Sequence, residues 1–242
     1  EQDDVEFIWS RFGISVHAMF ERAAPEEKEV LSEERLFHDV KGWTVSGAID
    51  LQEISEEGGV EVVTVSDYKV TSVWSVIYGK EEWVNQLNCY AWLVRKAKNL
   101  PVKSLRIIAI LRDWQRRKAE ESGDYPESPV HIVDIPIWSD QDQDQYVNDR
   151  VDLHQQAEFE LLTDGSLPLC SEAEQWKKED KFAVKKKNNK RALRVFSSMD
   201  DAKKFMANQK DLKIEERKGE PTRCVQNWCR VADFCDQYQK AS

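Results

Sequence analysis

The stretch Val63-Thr64-Val65-Ser66-Asp67-Tyr68-Lys69-Val70 decides how this chain is read. Its β-branched residues predict a strand. Side chains two apart on a strand share a face, so Asp67 and Lys69 project together and Tyr68 points the other way. Residues 43–53, WTVSGAIDLQE, read as a second strand with Gly47 at a bend or bulge. The sequence ISEEGG between them is a turn, which makes the pair an antiparallel hairpin. Asp50 then lies on the strand beside Asp67. A carboxylate in so apolar a strand is costly unless it is paired or bound to a cation. Two carboxylates brought together repel, and a divalent cation offsets the repulsion. Hard oxygen ligands of this kind suit magnesium or manganese. The plainer alternative is a buried ion pair of Lys69 with Asp67 or Asp50, without chemistry.

Outward from the hairpin, residues 5–22 predict a helix, with Phe7, Ile8, Trp9, Phe12, Val16 and Met19 as its apolar positions. It places His17 and Glu21 on one face. Residues 25–41 are charged and show no clear period. Residues 81–98 form the clearest helix, opened by acidic and closed by basic residues. It carries Gln86 and Tyr90 one turn apart. Strands are predicted over 102–114 and 130–138, and a long polar helix over about 140–162. The texture changes at Asp164, where a turn-rich and then lysine-rich segment begins, followed by a helix capped by Ser198 or Asp200. The expected architecture is a mixed α/β fold. A central mixed β-sheet flanked by helices occupies residues 1–163, and a small cysteine-containing appendage occupies residues 164–242.

The 242 residues carry a formal net charge of −10, which taken alone argues against a nucleic-acid partner. Distribution matters more than the sum. Basic residues crowd between Lys177 and Arg194, and again at Arg112, Arg116, Arg117 and Lys118. Such runs read either as solvated faces or as a basic stripe that holds DNA. In the second reading Lys185, Lys186, Lys187, Lys190 and Arg191 contact DNA. Trp176 and Phe182, interleaved with them, either stack bases or form a small core. No apolar run approaches membrane-spanning length and no signal-peptide pattern opens the sequence, so a soluble, cytoplasmic protein with no membrane partner is expected. Five cysteines, an odd number, argue against a disulfide framework. Cys224-x4-Cys229-x5-Cys235, together with Cys170, leaves zinc, a [4Fe–4S] cluster and free thiols all open. Cys89 reads as a core residue.

In order, the chain gives His17-x-x-x-Glu21, Gly47-x-x-Asp50, Asp67-x-Lys69 and Gln86-x-x-x-Tyr90. Over about residues 10–115 this order and spacing resembles the RecB-like branch of the PD-(D/E)XK nuclease superfamily. That branch includes the RecB nuclease domain, AddAB-type nucleases, CRISPR-associated RecB-type exonucleases and phage exonucleases. The resemblance implies a restriction-endonuclease-like core. It also implies a DNA exonuclease dependent on Mg2+ or Mn2+, hydrolysing phosphodiester bonds in recombination, repair or replication. One or two ions would be held by His17, Asp50, Asp67 and the Tyr68 carbonyl. Lys69 would be the catalytic lysine, orienting the attacking water and offsetting charge on the phosphate. Gln86 and Tyr90 would support the site. Ile49 stands where the wider superfamily has proline. His38 lacks the helical context of His17, and His131 and His154 read as structural or surface residues. Glu21 reads as a supporting partner of the site or as a surface charge.

The resemblance further implies a [4Fe–4S] cluster on Cys170, Cys224, Cys229 and Cys235. Cys170 follows the nuclease motifs, whereas the first cysteine of relatives usually precedes them, and the x4 gap is wider than usual. A single-strand annealing or recombination protein is the partner implied. A structure-specific endonuclease on the same fold, and a DNA-binding Fe–S module without nuclease activity, are the alternatives.

Overall fold

Two glycine-bearing turns organise the first half of the chain. The computed structural model describes residues 8–23, 29–186, 189–207, 209, 211–226 and 228–239. Helix α1 (Ile8–Ala23) precedes strands β1 (Val30–Val40), β2 (Trp43–Glu57) and β3 (Val60–Thr71). Lys41 and Gly42 have φ of 51° and 82°, and Gly58 and Gly59 have 60° and 83°. Two consecutive positive φ values match the twist of a tight hairpin, so β1, β2 and β3 zip together as successive antiparallel pairs. The second turn is confined to Gly58-Gly59, and the strands beside it are longer than the sequence pattern indicated.

Helices α2 (Val73–Tyr78) and α3 (Glu81–Lys98) then carry the chain over to β4 (Val102–Leu111). β4 pairs parallel with β3, the pairing that a helical crossover permits. Helix α4 (Arg116–Glu121), strand β5 (Val130–Ile135) and helix α5 (Asp140–Asp164) follow. The strands form one five-stranded mixed sheet in the order β1-β2-β3-β4-β5, with β4 and β5 antiparallel. This is the mixed sheet with flanking helices that the sequence predicts.

α3 is the packing hub. Glu81 and Glu82 open it and Arg95, Lys96 and Lys98 close it, in the sense the helix dipole favours. It ends on Asn99 in the left-handed conformation, with φ 55°. Trp83, Leu87, Ala91, Trp92, Leu93 and Val94 are buried, and the helix touches all five strands. Buried Asn88 accepts the Trp138 N–H at 2.8 Å and donates to the Pro136 carbonyl at 3.0 Å, tying the β5–α5 connection to α3. α5 adds Val147 and Val151 to the same core.

Gly47 departs from expectation. The β1–β2 ladder runs straight through it, paired with Leu36, without a bulge. A Cβ there would lie 2.9 Å from both Leu93 Cδ1 and Tyr90 Cε1. Its role is to let α3 lie close on β2. The charged residues 30–40, without clear period in the sequence, form the edge strand β1, and an edge tolerates charge that a central strand does not.

The chain divides into two compact units at Thr163/Asp164. In the second, β6 (Lys181–Lys186) lies between β7 (Arg194–Phe196) and β8 (Leu212–Arg217), both antiparallel to it. Helix α6 (Met199–Met206) is capped by Ser198, whose hydroxyl accepts from the Asp200 N–H. Val184, Ala202 and Leu212 form a small core, joined by Phe182, Phe196, Phe205, Met206 and Ile214. Short helices α7 (Thr222–Val225) and α8 (Asp236–Gln239) close the unit. Among the described residues no helix is long and apolar enough to cross a membrane.

Candidate metal centre and active site

The site forms where the central hairpin comes apart. β2 and β3 pair from Glu57/Val60 as far as Leu51/Ser66 and no further. The next residues, Asp50 and Asp67, stand at the fork. Beyond it β2 continues along β1 and β3 along β4. The fork removes the ladder partner of the Tyr68 N–H, and a buried N–H without a partner is costly. Asp50 supplies one, its Oδ2 accepting the Tyr68 N–H at 2.8 Å.

Helix α1 brings His17 to the same point. Its Nε2–H donates to the Tyr68 carbonyl at 3.0 Å, and its Nδ1 lies 3.4 Å from Asp50 Oδ2 and 3.5 Å from Glu33 Oε1. Tyr68 stacks on Phe20 of α1, with ring centroids 4.4 Å apart. Asp67, pointing to the other face, accepts from Gln86 of α3 at 2.9 Å. Gln86 also donates to the Tyr90 hydroxyl at 2.9 Å, and Lys69 Nζ stands 2.6 Å from Asp67 Oδ2.

His17, Glu33 and Asp50 offer donor atoms that all lie within 4.8 Å of one another. One imidazole and two carboxylates are a donor set that Mn2+ accepts well and Mg2+ accepts through its oxygens. Those residues fit the ion the sequence implies. Asp67 lies outside this converging group, with Lys69 Nζ and Gln86 Nε2 against its two oxygens. The Tyr68 carbonyl is engaged by His17. Glu33 is the third donor of this group, and the sequence pattern missed it because β1 itself was not recognised. Its backbone is unusual, with φ 52° inside a strand. It stands across from Asp50, at the one position the β1–β2 pairing skips.

The electrostatics follow the geometry. The hydrogen bond to Asp50 raises the His17 pKa to about 9 against the opposing effect of burial, and the Asp50 and Asp67 charges and a hydrogen bond to Glu33 add to the rise. Burial pushes the Asp67 carboxyl up to about 6. The Lys69 ammonium pulls it down and the Asp50 charge pushes it up. Burial likewise raises the Tyr90 phenol. Glu21 is exposed and outside the converging set. His38 packs its ring edge-on to Trp92 and His154 stacks on Trp43. His131 lines a surface cavity with Val76, Ile77 and Tyr125.

In the C-terminal unit, Cys170, Cys224, Cys229 and Cys235 are free thiols. Burial pushes the Cys224 thiol up, and each of the other three adds to the rise. Among the described residues no three of these thiols lie within 4.8 Å of one another. Cys89 is mostly buried against the main core, where burial raises its thiol to about 11. Of the predicted DNA-contacting residues, Lys185 is largely buried and ion-paired with Glu215 within the sheet. Lys186, Lys190 and Arg191 are exposed around the β6–β7 turn, and Lys187 lies outside the described residues. Trp176 is half-exposed, with the Arg223 guanidinium 5.4 Å from its ring centroid, and Phe182 belongs to the small core.

No known protein family and no curated protein matches the chain. Among solved structures it is similar to one described as the crystal structure of SSO0001, at 14% identity and a TM-score of 0.40, over 62% of this chain. The chain spans 63% of the length of that protein.

Glu33 gives the first prediction. A left-handed backbone strains any residue but glycine by about 1–2 kcal/mol. Glu33→Gly should raise the metal-free stability in urea titrations by roughly 1 kcal/mol. Calorimetric titration of the same variant should show at least about tenfold weaker Mn2+ binding. The second concerns pH. Metal must displace the His17 Nδ1 proton, so Mn2+ affinity should climb between pH 6.5 and about 9, by about tenfold per unit where no other proton intervenes. Because the folded pKa is raised, that proton stabilises the metal-free chain fully below pH 6.5, and its contribution is lost as pH rises through about 9. Melting temperatures without metal, measured across that interval, should fall.

Proposed function

We propose that the chain is a divalent-metal-dependent DNA exonuclease acting in recombination, repair or replication, with its ion held by His17, Glu33 and Asp50. The observation that carries this reading is the convergence of those three donors at a strand fork, beside a buried Asp67–Lys69 ion pair. The ion, when bound, supplies Lewis-acid stabilisation of the scissile phosphate and lowers the pKa of water.

The chain's own residues do the positioning. Asp67 and Lys69 share a strand face, so the carboxylate limits where the ammonium can swing. The Lys69 side chain is 27% exposed and can reach a phosphate, while Asp67 is buried. A fixed cation beside a developing phosphate charge works more strongly than a solvated one. Gln86 holds Asp67 through its second oxygen, and Tyr90 steadies Gln86. Asp50 has two duties, holding the Tyr68 backbone and facing His17. Exposed Lys186, Lys190 and Arg191 give the C-terminal unit a cationic loop suited to a phosphate backbone.

The cysteines of that unit fit a [4Fe–4S] cluster. Their segments bury almost no apolar surface of their own. Ala232 is buried, while Leu169, Val225, Trp228, Val231 and Phe234 are exposed. A metal staple would supply the stability that such a segment lacks.

Linear DNA labelled at each end, single- and double-stranded, should be shortened progressively with Mn2+ or Mg2+, and circular DNA should survive. Asp67→Ala and Lys69→Ala should each lower the rate by about 100-fold or more, with melting curves showing folded protein. Undiminished activity in both variants would overturn the proposal. Protein purified without oxygen should be brown, with about four irons per chain. Stoichiometric zinc without iron would remove the cluster from the reading.

A further inference from the structure

Helix α1 brings His17 to the proposed metal centre, yet little of α1 is fastened to the rest of its unit. Its chief support is β3. Among the described residues no α1 side chain joins the main core, and Val16 is its one buried residue. Ile8, Ile14 and Met19 are exposed. A helix of 16 residues is marginal without tertiary support. Its position against the sheet therefore depends heavily on the turn that holds Val16, His17 and Phe20. His17 and Phe20, three apart on one helix face, reach the same residue of β3.

That residue is Tyr68, and each part of it is engaged. Its N–H donates to Asp50 at 2.8 Å. Its carbonyl accepts from His17 Nε2 at 3.0 Å. Its ring stacks on Phe20, 10° from parallel with centroids 4.4 Å apart. The same ring stands edge-on to the His17 imidazole, at 82° with centroids 6.1 Å apart. Asp50 thus fixes the backbone of the residue whose ring receives α1. Neither Phe20 nor Tyr68 belongs to the main core, so their stack adds nothing to the packing of α3 on the sheet. What it sets is the rotation of α1. A turn of one residue, about 100° about the helix axis, would pull Phe20 off the ring and carry the imidazole away from Asp50 and Glu33.

We propose that Phe20 is a positioning residue of the metal centre. It offers no donor atom. It acts through the Tyr68 ring, holding α1 at the rotation that leaves His17 Nδ1 3.4 Å from Asp50 Oδ2 and 3.5 Å from Glu33 Oε1. This rests on the metal-centre reading above. An ion that needs His17 binds only chains with α1 docked, so its apparent affinity scales with the docked fraction. A stacked aromatic pair is worth about three- to tenfold in such an equilibrium. By the same linkage a bound ion tightens the docking of α1.

Calorimetric titration of Mn2+ into the full chain tests it. Phe20→Ala should bind Mn2+ about three- to tenfold more weakly, and Phe20→Tyr, which keeps a flat ring, should restore the affinity. In a His17→Ala background Phe20→Ala should change the affinity by less than about twofold, since the two residues act as one unit. Hydrogen exchange in EDTA reads docking with no metal present. There Phe20→Ala should speed exchange of the α1 amides and leave those of α3 unchanged, which separates undocking from unfolding. Wild-type affinity in Phe20→Ala, with His17→Ala weakened, overturns the positioning role and leaves the metal centre standing. An equal loss in both backgrounds, or equal acceleration in α3, assigns Phe20 to general stability and also overturns it. Mn2+ affinity undiminished in His17→Ala refutes the metal centre itself, and the positioning role with it.

Discussion

One hydrogen bond organises the site, the one that the Tyr68 N–H donates to Asp50. Two strands leaving a shared hairpin must abandon their ladder somewhere, and each abandoned amide needs a new partner. Here the partner is a carboxylate, so the break in the sheet and the charged cluster arise from the same event. The fork opens the sheet where His17 of α1 and Glu33 of β1 come together with Asp50. Moving the fork along the strands would strand the Tyr68 N–H and separate the donors in one step.

Charge then divides between two faces of β3. On the side of Tyr68, α1 supplies an imidazole raised toward the charged form by its hydrogen bond to Asp50. On the side of Asp67, α3 supplies a neutral amide, and the compensating charge comes from Lys69 on the strand itself. The strand works as a partition that keeps a metal-type donor set apart from an ion pair, though both respond to the same Asp50 charge. Without a cation the arrangement is under electrostatic tension, and His17 relieves it by holding a proton. In the proposed centre, metal and proton would compete for one place.

Much of this was legible in the sequence. Period-two alternation and glycine turns identified β2, β3, β4 and β5, and charge polarity identified α3, because those signals are local. The spacing from Asp50 to Asp67 required a hairpin, and the hairpin is there. Glu33 was not legible, since an edge strand tolerates charges that obscure its period and since no local rule foretells a left-handed residue opposite a particular aspartate. Gly47 was misjudged for a related reason. A glycine in a strand signals a bulge or a close approach equally well, and only the position of α3 decides between them. Lys185 sat in a basic run, but strand alternation turned it toward Glu215. A run of like charges on a strand is two half-runs on opposite faces.

The C-terminal unit carries a consequence for the order in which the chain is made. Gln237 closes on Cys170 across 67 residues, accepting its N–H at 2.8 Å and donating to its carbonyl at 3.0 Å. The three-stranded sheet and its small core are complete by Arg217, well before that closure. A ribosome therefore releases a sheet that can fold at once, followed by a segment whose distant partner has waited since residue 170. The low-separation contacts close early and the high-separation clamp closes last. Cys170 therefore gains these backbone partners only after Gln237 has been made.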